Sequence, residues 1–325
     1  MTPTASAPPG FLEFIAARRV EIDDALEQWL PTPPACPPRL AEAMRYAVQT
    51  GGKRFRPLLA LAAADAVAAA HEHHTSGTDA ARRAALPLAC AVEFVHAQSL
   101  VHDDLPAMDD DVLRRGQPTV HVRYGEGLAL LVGNGLLAQA FTLLARAPAV
   151  DGRDVPAART LRAVSLLGEV IGASGMVGGQ AIDLAATGSG RGVTADNALD
   201  LAGLYDMHAR KTGGLIRAAA VGGAIMAGAT DDEVAAVEQF AGRLGLAFQI
   251  VDDVLDVEGC TATLGKSAGK DARDGKVTFV GLVGRDAARA LAADAVAEAE
   301  GVLMQAGIAS PHLIGLARSV ATRHA

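Results

Sequence analysis

The sequence predicts an all-α, single-domain protein, and three observations carry that expectation. Half of the residues are hydrophobic yet only 4% are aromatic, and Ala and Leu, both strong helix formers, supply most of the apolar content. The apolar runs recur with helical rather than alternating periodicity and are separated by Pro and Gly breaks. No fixed-period repeat and no strand-like alternation of useful length is present. At 325 residues the chain is long enough for one large core. Ten or more helices around a central cavity are expected.

Residues 1–10, rich in Pro, Thr, Ser and Ala, read as a disordered tail, and the domain runs from 11 to 325. The first helix spans Phe11 to about Leu30, with Leu12, Ile15, Ile22, Leu26 and Trp29 in helical register. PTPPACPP (31–38) must interrupt it, because proline removes a donor and clashes inside a helix. A second helix covers 39–50 and stops at Gly51-Gly52, and a third runs through LLALAAADAVAAA after Pro57. HEHHTSGTDA (71–80) reads as an exposed loop. Its His71, His73 and His74 have no partner cysteines, so zinc is discounted.

One long helix is expected over 82–104, ending where Pro106 forces a bend. Further helices are expected near 125–146, 155–182, 195–210, 211–228, 231–258, 285–306 and 310–323, with Gly-rich loops at 187–192 and 259–275. Gly127–Ala145 is the one uncharged stretch about long enough to span a bilayer. It carries Asn134, Gln139, Thr142 and three glycines, so a buried core helix is expected and no membrane span.

The net charge of −8 argues against a nucleic-acid partner, which would need clustered basic residues. It leaves phosphorylated small molecules open, because metal ions reverse the local sign. Cys36, Cys90 and Cys260 show no metal-ligand spacing, which fits a reducing cytoplasm. The N-terminus lacks a basic segment followed by an apolar one, so no signal peptide is expected.

Two aspartate clusters carry the chemistry. Asp103, Asp104 and Asp109 lie in VHDDLPAMDDD, and Asp252, Asp253 and Asp256 lie in FQIVDDVLD. Each follows an apolar stretch, where unpaired carboxylates are costly. Asp252 and Asp256 stand one helical turn apart, a repulsive spacing that a bound divalent cation relieves. Mg²⁺ suits it, since it joins protein carboxylates to substrate phosphate. A solvated acidic face is the alternative, and Phe248, Ile250, Val251, Val254 and Leu255 argue against it. Arg114 and Arg115 follow the first cluster, either as a salt-bridge network or as a fork for phosphate oxygens. GGKRFRP (51–57) concentrates Lys53, Arg54 and Arg56 without Walker-loop spacing, and is either surface decoration or a metal-free anion pocket. Lys211-Thr212-Gly213-Gly214 joins two predicted helices, and Lys266 and Lys276 lie in a Gly-rich loop.

In order and spacing, GGKRFRP, HDDLPAMDDDVLRRGQPT, GGQAIDL, KTGGLIRAA and LAFQIVDDVLD…GKSAGKDARDGK resemble the all-trans short-chain prenyl diphosphate synthases, the farnesyl and geranylgeranyl diphosphate synthase family. The resemblance covers nearly all of the chain from residue 11. The four residues between Asp104 and Asp109 resemble the bacterial form. It implies that Asp103, Asp109 and Asp252 ligate Mg²⁺, three ions per site, with Asp104, Asp253 and Asp256 in support. Arg114, Lys211 and Lys266 would hold an allylic diphosphate. Lys53, Arg56, His96 and Arg115 would hold isopentenyl diphosphate. Thr212 and Gln249 would flank the reacting allylic carbon. The implied reaction is ionisation of the allylic diphosphate, attack by isopentenyl diphosphate on the carbocation, and loss of a proton to the departing pyrophosphate, in a dry cavity. Family members are commonly homodimers.

In bacterial farnesyl-forming members of this family an aromatic residue sits five positions before the first Asp. Here Gln98 stands there, with Ser99 next and Val95 one turn deeper, a less bulky floor that favours a twenty-carbon product over fifteen. Asn134 replaces a usual Asp, and Phe279 a usual Tyr. A class I terpene cyclase would mix Asn, Ser and Glu in its second motif, and a non-catalytic subunit would have lost acids or the basic turn. This chain keeps all of them.

Overall fold

The structure is a computed structural model, and it describes residues 8–71, 75–147, 155–187, 199–258 and 276–323. Among these residues the chain is built from α1 (Phe11–Trp29), α2 (Pro38–Gln49), α3 (Phe55–His71), α4 (Thr75–Asp103), α5 (Val120–Tyr124), α6 (Glu126–Arg146), α7 (Ala157–Ile171), α8 (Met176–Thr187) and α9 (Leu201–His208). A π-helical turn, Ala209–Gly213, leads into α10 (Gly214–Ala227) and α11 (Asp231–Glu258), followed by α12 (Phe279–Val283), α13 (Arg285–Gln305) and α14 (Pro311–Ala321). The two strands, β1 (Leu113–Arg114) and β2 (Gln117–Pro118), form one antiparallel hairpin. The all-α expectation holds.

α10 is the central post, packed against α3, α4, α7 and α11. Its residues Ala218–Met226 are all buried, as is α3 from Pro57 to Ala68. The reason is in the sequence: LLALAAADAVAAA and AAAVGGAIMA have almost no long side chains, so backbones approach closely. A Cβ on Gly223 would stand 2.2 Å from the Ala60 carbonyl oxygen. α4 packs in turn on α3 and α6, and α13 lies along α11. The helix starts are well specified. Thr230 and Glu233 form a capping box on α11, with Thr230 N–H donating to the Glu233 carboxylate at 2.7 Å. Asp200 caps α9 and Ser310 caps α14, the latter with Pro311 in the first turn.

Four expectations are corrected. The loop over 71–80 is shorter than expected, because α4 already begins at Thr75; His71 meets Glu233 at 2.8 Å, while His73 and His74 lie outside the described residues. The helix over 155–182 is broken between Ile171 and Met176, where Gly172 turns extended and Gly175 lies close to the Val170 carbonyl. A short hairpin turns at Arg115 and Gly116, both with positive φ, as a type I′ turn requires. The Gly127–Ala145 helix is not wholly core. Its Gly127, Leu130, Leu131, Asn134 and Ala138 form an exposed stripe at i, i+3, i+4, i+7 and i+11. It also has company: three further segments, 77–103, 157–186 and 231–258, are long and apolar enough to cross a membrane by length and composition alone. Two of these end in the aspartate clusters, so their apolarity serves the packed interior.

The α3–α10 crossing yields a pair of opposite predictions. Gly223→Ala drives a methyl group into backbone and should destabilise the fold by about 1–3 kcal/mol. Gly242→Ala, on an exposed face of α11 with nothing within 4 Å, should stabilise it by about 0.5–1 kcal/mol. Urea unfolding of both variants measures the difference.

Candidate active site

The first acidic rim is the end of α4 and the loop that folds back on it. Asp109 N–H donates to the Asp103 carbonyl at 2.9 Å and Asp111 N–H to the Asp104 carbonyl at 3.2 Å, which returns Asp109 to Asp103 after the Pro106 bend. Burial pushes the Asp103 carboxyl up to about 6, with Asp109 adding to the rise and Lys211 opposing it. Asp104 has a different task. It is buried and accepts from Arg114 Nε at 2.8 Å and Nη2 at 2.6 Å, so it orients Arg114.

The second rim lies on the last turns of α11. Asp252 is partly exposed, and its Oδ1 accepts from Arg323 Nη1 at 3.2 Å. Asp253 is buried and already engaged, by Phe279 N–H at 2.8 Å and Gln249 Nε2 at 3.3 Å. It anchors α12 and holds Gln249. Asp256 is buried, and one of its carboxylate oxygens has no hydrogen-bond partner among the described residues. One short segment touches both rims. Lys276 Nζ stands 3.6 Å from Asp109, and Phe279, three residues on, holds Asp253. That segment spans at most about 11 Å of extended chain.

Between the rims lies the π turn. Lys211 Nζ donates to Asp183 Oδ2 at 2.5 Å, and its charge also reaches Asp103. Backbone contacts grip this turn from both sides: a Cβ on Gly179 of α8 would lie 2.5 Å from Lys211 N, and one on Gly245 of α11 would lie 3.0 Å from Gly213 Cα. Only glycine lets both helices come so close. Thr212 and Gln249, both partly buried, belong to this wall, on segments that pack against each other. Sequence reasoning quoted Asp183 within GGQAIDL without giving it a role, although its spacing from Gly179 on one helix marks the same seam. It also missed His208. Both ring nitrogens of His208 are buried without partners, the ring stacks on Phe279 at 5.6 Å, and burial lowers its pKa to about 4, so it is neutral.

A basic pocket adjoins the second rim. The Arg115 guanidinium packs on Gly52, and His96 feels Arg56 and Arg115, so the turn GGKRFRP, α4 and the hairpin converge. Burial holds His96 well below the ordinary imidazole range, and these arginines add to it, leaving a neutral ring. Arg56 Nε is buried and has no hydrogen-bond partner among the described residues. Arg54 is structural instead. It bonds Asp23, Glu93 and the Val48 carbonyl at 2.8, 2.8 and 2.9 Å. The Phe248 ring divides pocket from rim, with Arg56 6.0 Å and Arg323 4.5 Å from its centroid.

Of the three floor candidates, Val95 is buried and Gln98 and Ser99 are partly buried. The Gln98 amide lies 3.1 Å from His102 Nδ1, and His102 packs on Gly133 of α6. Ser99 donates to the His96 carbonyl at 3.0 Å. Lys266 lies outside the described residues. Asn134 is exposed on α6, and Phe279 replaces a hydroxyl with full burial against Tyr205 and His208.

These acids fit Mg²⁺ in a particular way. Among the described residues no three His, Cys, Asp or Glu side chains converge as a ready-made cage. Mg²⁺ rarely uses such cages; it binds one or two carboxylates and takes its remaining oxygens from water and phosphate. Lys276 at Asp109 and Arg323 at Asp252 put cations where that charge is wanted. Because desolvation disfavours the Asp103 charge without metal, Asp103→Asn at pH 7.5 should melt no lower than wild type. It should lose the rise in melting temperature that Mg²⁺ with inorganic pyrophosphate gives the wild type. Differential scanning calorimetry measures both.

Comparison with known proteins agrees with this geometry. The family model described as polyprenyl synthetase matches residues 37–300. A dimethylallyltranstransferase of Fischerella ambigua is 39% identical, covering 96% of this chain and 83% of its own. Geranylgeranyl pyrophosphate synthase 11 of Arabidopsis thaliana is 43% identical, covering 89% and 76%. The crystal structure of an FPP/GFPP synthase from Zymomonas mobilis superposes with a TM-score of 0.77 at 34% identity, covering 96% of this chain and 97% of that one. With its two acidic rims, its π turn and its basic pocket in one wall, this chain belongs to the polyprenyl synthetase family.

Proposed function

We propose that this chain is a short-chain trans-prenyl diphosphate synthase that joins isopentenyl diphosphate to an allylic diphosphate. The observation that carries the reading is the pairing of two different anion sites across Phe248. One is an acidic rim that needs metal, and the other is a basic pocket, Lys53, Arg56, His96 and Arg115, that does not. Two diphosphates bound side by side are what a condensation of two diphosphate esters requires.

Mg²⁺ held by Asp103, Asp109 and Asp252 would neutralise the allylic diphosphate and make it a better leaving group. Arg114, kept in place by Asp104, and Lys211, kept in place by Asp183, orient that diphosphate. The Thr212 hydroxyl and Gln249 carboxamide turn fixed dipoles toward the allylic carbon, stabilising positive charge without supplying a nucleophile. The basic pocket presents the double bond of isopentenyl diphosphate. The proton released in the last step passes to pyrophosphate, so no protein base is assigned. The apolar helices exclude water from the cation.

The exposed stripe of α6, with Val122 of α5 also exposed, supports a homodimer through that face. Light scattering should then give twice the 33.2 kDa chain mass. Cys36 and Cys90 are free and buried, which supports a cytoplasmic setting. The floor at Gln98 and Ser99, less bulky than an aromatic residue there, supports a twenty-carbon product.

Purified protein given isopentenyl diphosphate and geranyl diphosphate should release pyrophosphate only with Mg²⁺, and chromatography of the dephosphorylated prenol should identify geranylgeraniol. Asp252→Ala should lower kcat at least about a hundredfold, by loss of a directly ligating charge, while circular dichroism stays unchanged. Near-normal turnover would remove Asp252 from the metal site. Gln98→Tyr should shift the product toward fifteen carbons, and an unchanged profile would show that the floor lies elsewhere.

A further inference from the structure

Arg323 is a cation at the second rim that the proposed reaction does not use. It follows α14, two residues after its end, and its backbone N–H reaches back to the Val320 carbonyl at 3.4 Å. Its guanidinium bonds Asp252 Oδ1 at 3.2 Å and lies 4.5 Å from the centroid of the Phe248 ring. Arg56 approaches the same ring at 6.0 Å. Lys53 and Arg56 are both made easier to deprotonate, first by burial and then by Arg323, while Asp252 works against the shift. One cation therefore touches the metal rim and is felt at Lys53 and Arg56 of the basic pocket. The Asp252–Arg323 pair is partly open to water, with side-chain exposures of 39% and 21%. A pair so exposed biases an equilibrium by no more than about fivefold, so a divalent ion with a diphosphate can displace it.

We propose that Arg323 is a movable cation shared by the two halves of the site: it occupies Asp252 until metal takes that carboxylate, and its charge then serves the basic pocket alone. The proposal rests on the reading of Asp252 as a metal ligand. Loading the allylic half thereby strengthens anion binding in the second half, and by reciprocity an anion there eases metal uptake. A structural tether would couple nothing.

The test uses the full chain with Arg323→Gln and Arg323→Lys. Isothermal titration of Mg²⁺ in the presence of inorganic pyrophosphate involves no turnover. Arg323→Gln should lower the half-saturating Mg²⁺ by about two- to fivefold, since the competitor at Asp252 is gone. In steady-state assays at saturating Mg²⁺ the same variant should raise the KM for isopentenyl diphosphate by a similar factor and leave that of the allylic substrate unchanged. Arg323→Lys should behave like wild type in both. Opposite signs for metal and isopentenyl diphosphate are the signature. Unaltered or weakened Mg²⁺ binding in Arg323→Gln would overturn the proposal. Absence of turnover in the wild type would instead overturn the assigned reaction, and the titration would still decide the role of Arg323.

Discussion

The placement of carboxylates at the dry ends of apolar helices governs the rest of this structure. α4 and α11 pack their apolar faces in the interior and end in acids, Asp103 and Asp104 at the one and Asp252, Asp253 and Asp256 at the other. Unpaired, such charges would cost more than packing returns. The protein meets the problem by giving the acids separate fates. Asp104 is neutralised by Arg114, and Asp253 is spent on a backbone N–H and a carboxamide. Asp109 and Asp252 lie against Lys276 and Arg323. Asp103 and Asp256 are left as the strained members, one favouring its proton and the other with an orphan oxygen.

That division shows why the clusters are larger than metal binding alone needs. In the proposed reading the anchoring acids are as necessary as the ligating ones, since each fixes a group assigned to the diphosphate or to the allylic carbon. Asp104 sets the Arg114 fork, and Asp253 fixes both Gln249 and the start of α12. Asp183 does the same for Lys211 from a third helix. The carboxylates proposed as ligands, Asp103, Asp109 and Asp252, are partly exposed, and the supports Asp104, Asp183 and Asp253 are buried.

Much of this was legible in the sequence because the determinants are local. Ala- and Leu-rich runs, proline stops and Thr230-x-x-Glu233 specify helices with their own residues, so most helix boundaries fell within a few positions. The i, i+4 spacing of Asp252 and Asp256 fixed their common side of α11 before any coordinates. What the sequence hid is relational. Nothing near Arg54 says that it pairs with Glu93 while Arg56, two residues on, has an unpartnered donor. Gly172 and Gly175 break a helix whose apolar pattern continues past them. His208 and Arg323 acquire meaning only from partners at distant positions, Phe279 and Asp252. α6 looked like core by composition because an uncharged stripe reads alike whether it meets its own protein or faces outward.

The π turn at Ala209–Gly213 has a further implication. It is wedged between two glycines on different helices, with backbone against backbone and no side chain in the contact that could give way. Variation at that point would have to move whole helices. The face of α4 around Val95, Gln98 and Ser99 is lined by replaceable side chains instead. In the proposed reading the architecture divides into a reaction end that resists drift and a tail end open to revision, so that one scaffold could change what it makes while keeping how it makes it.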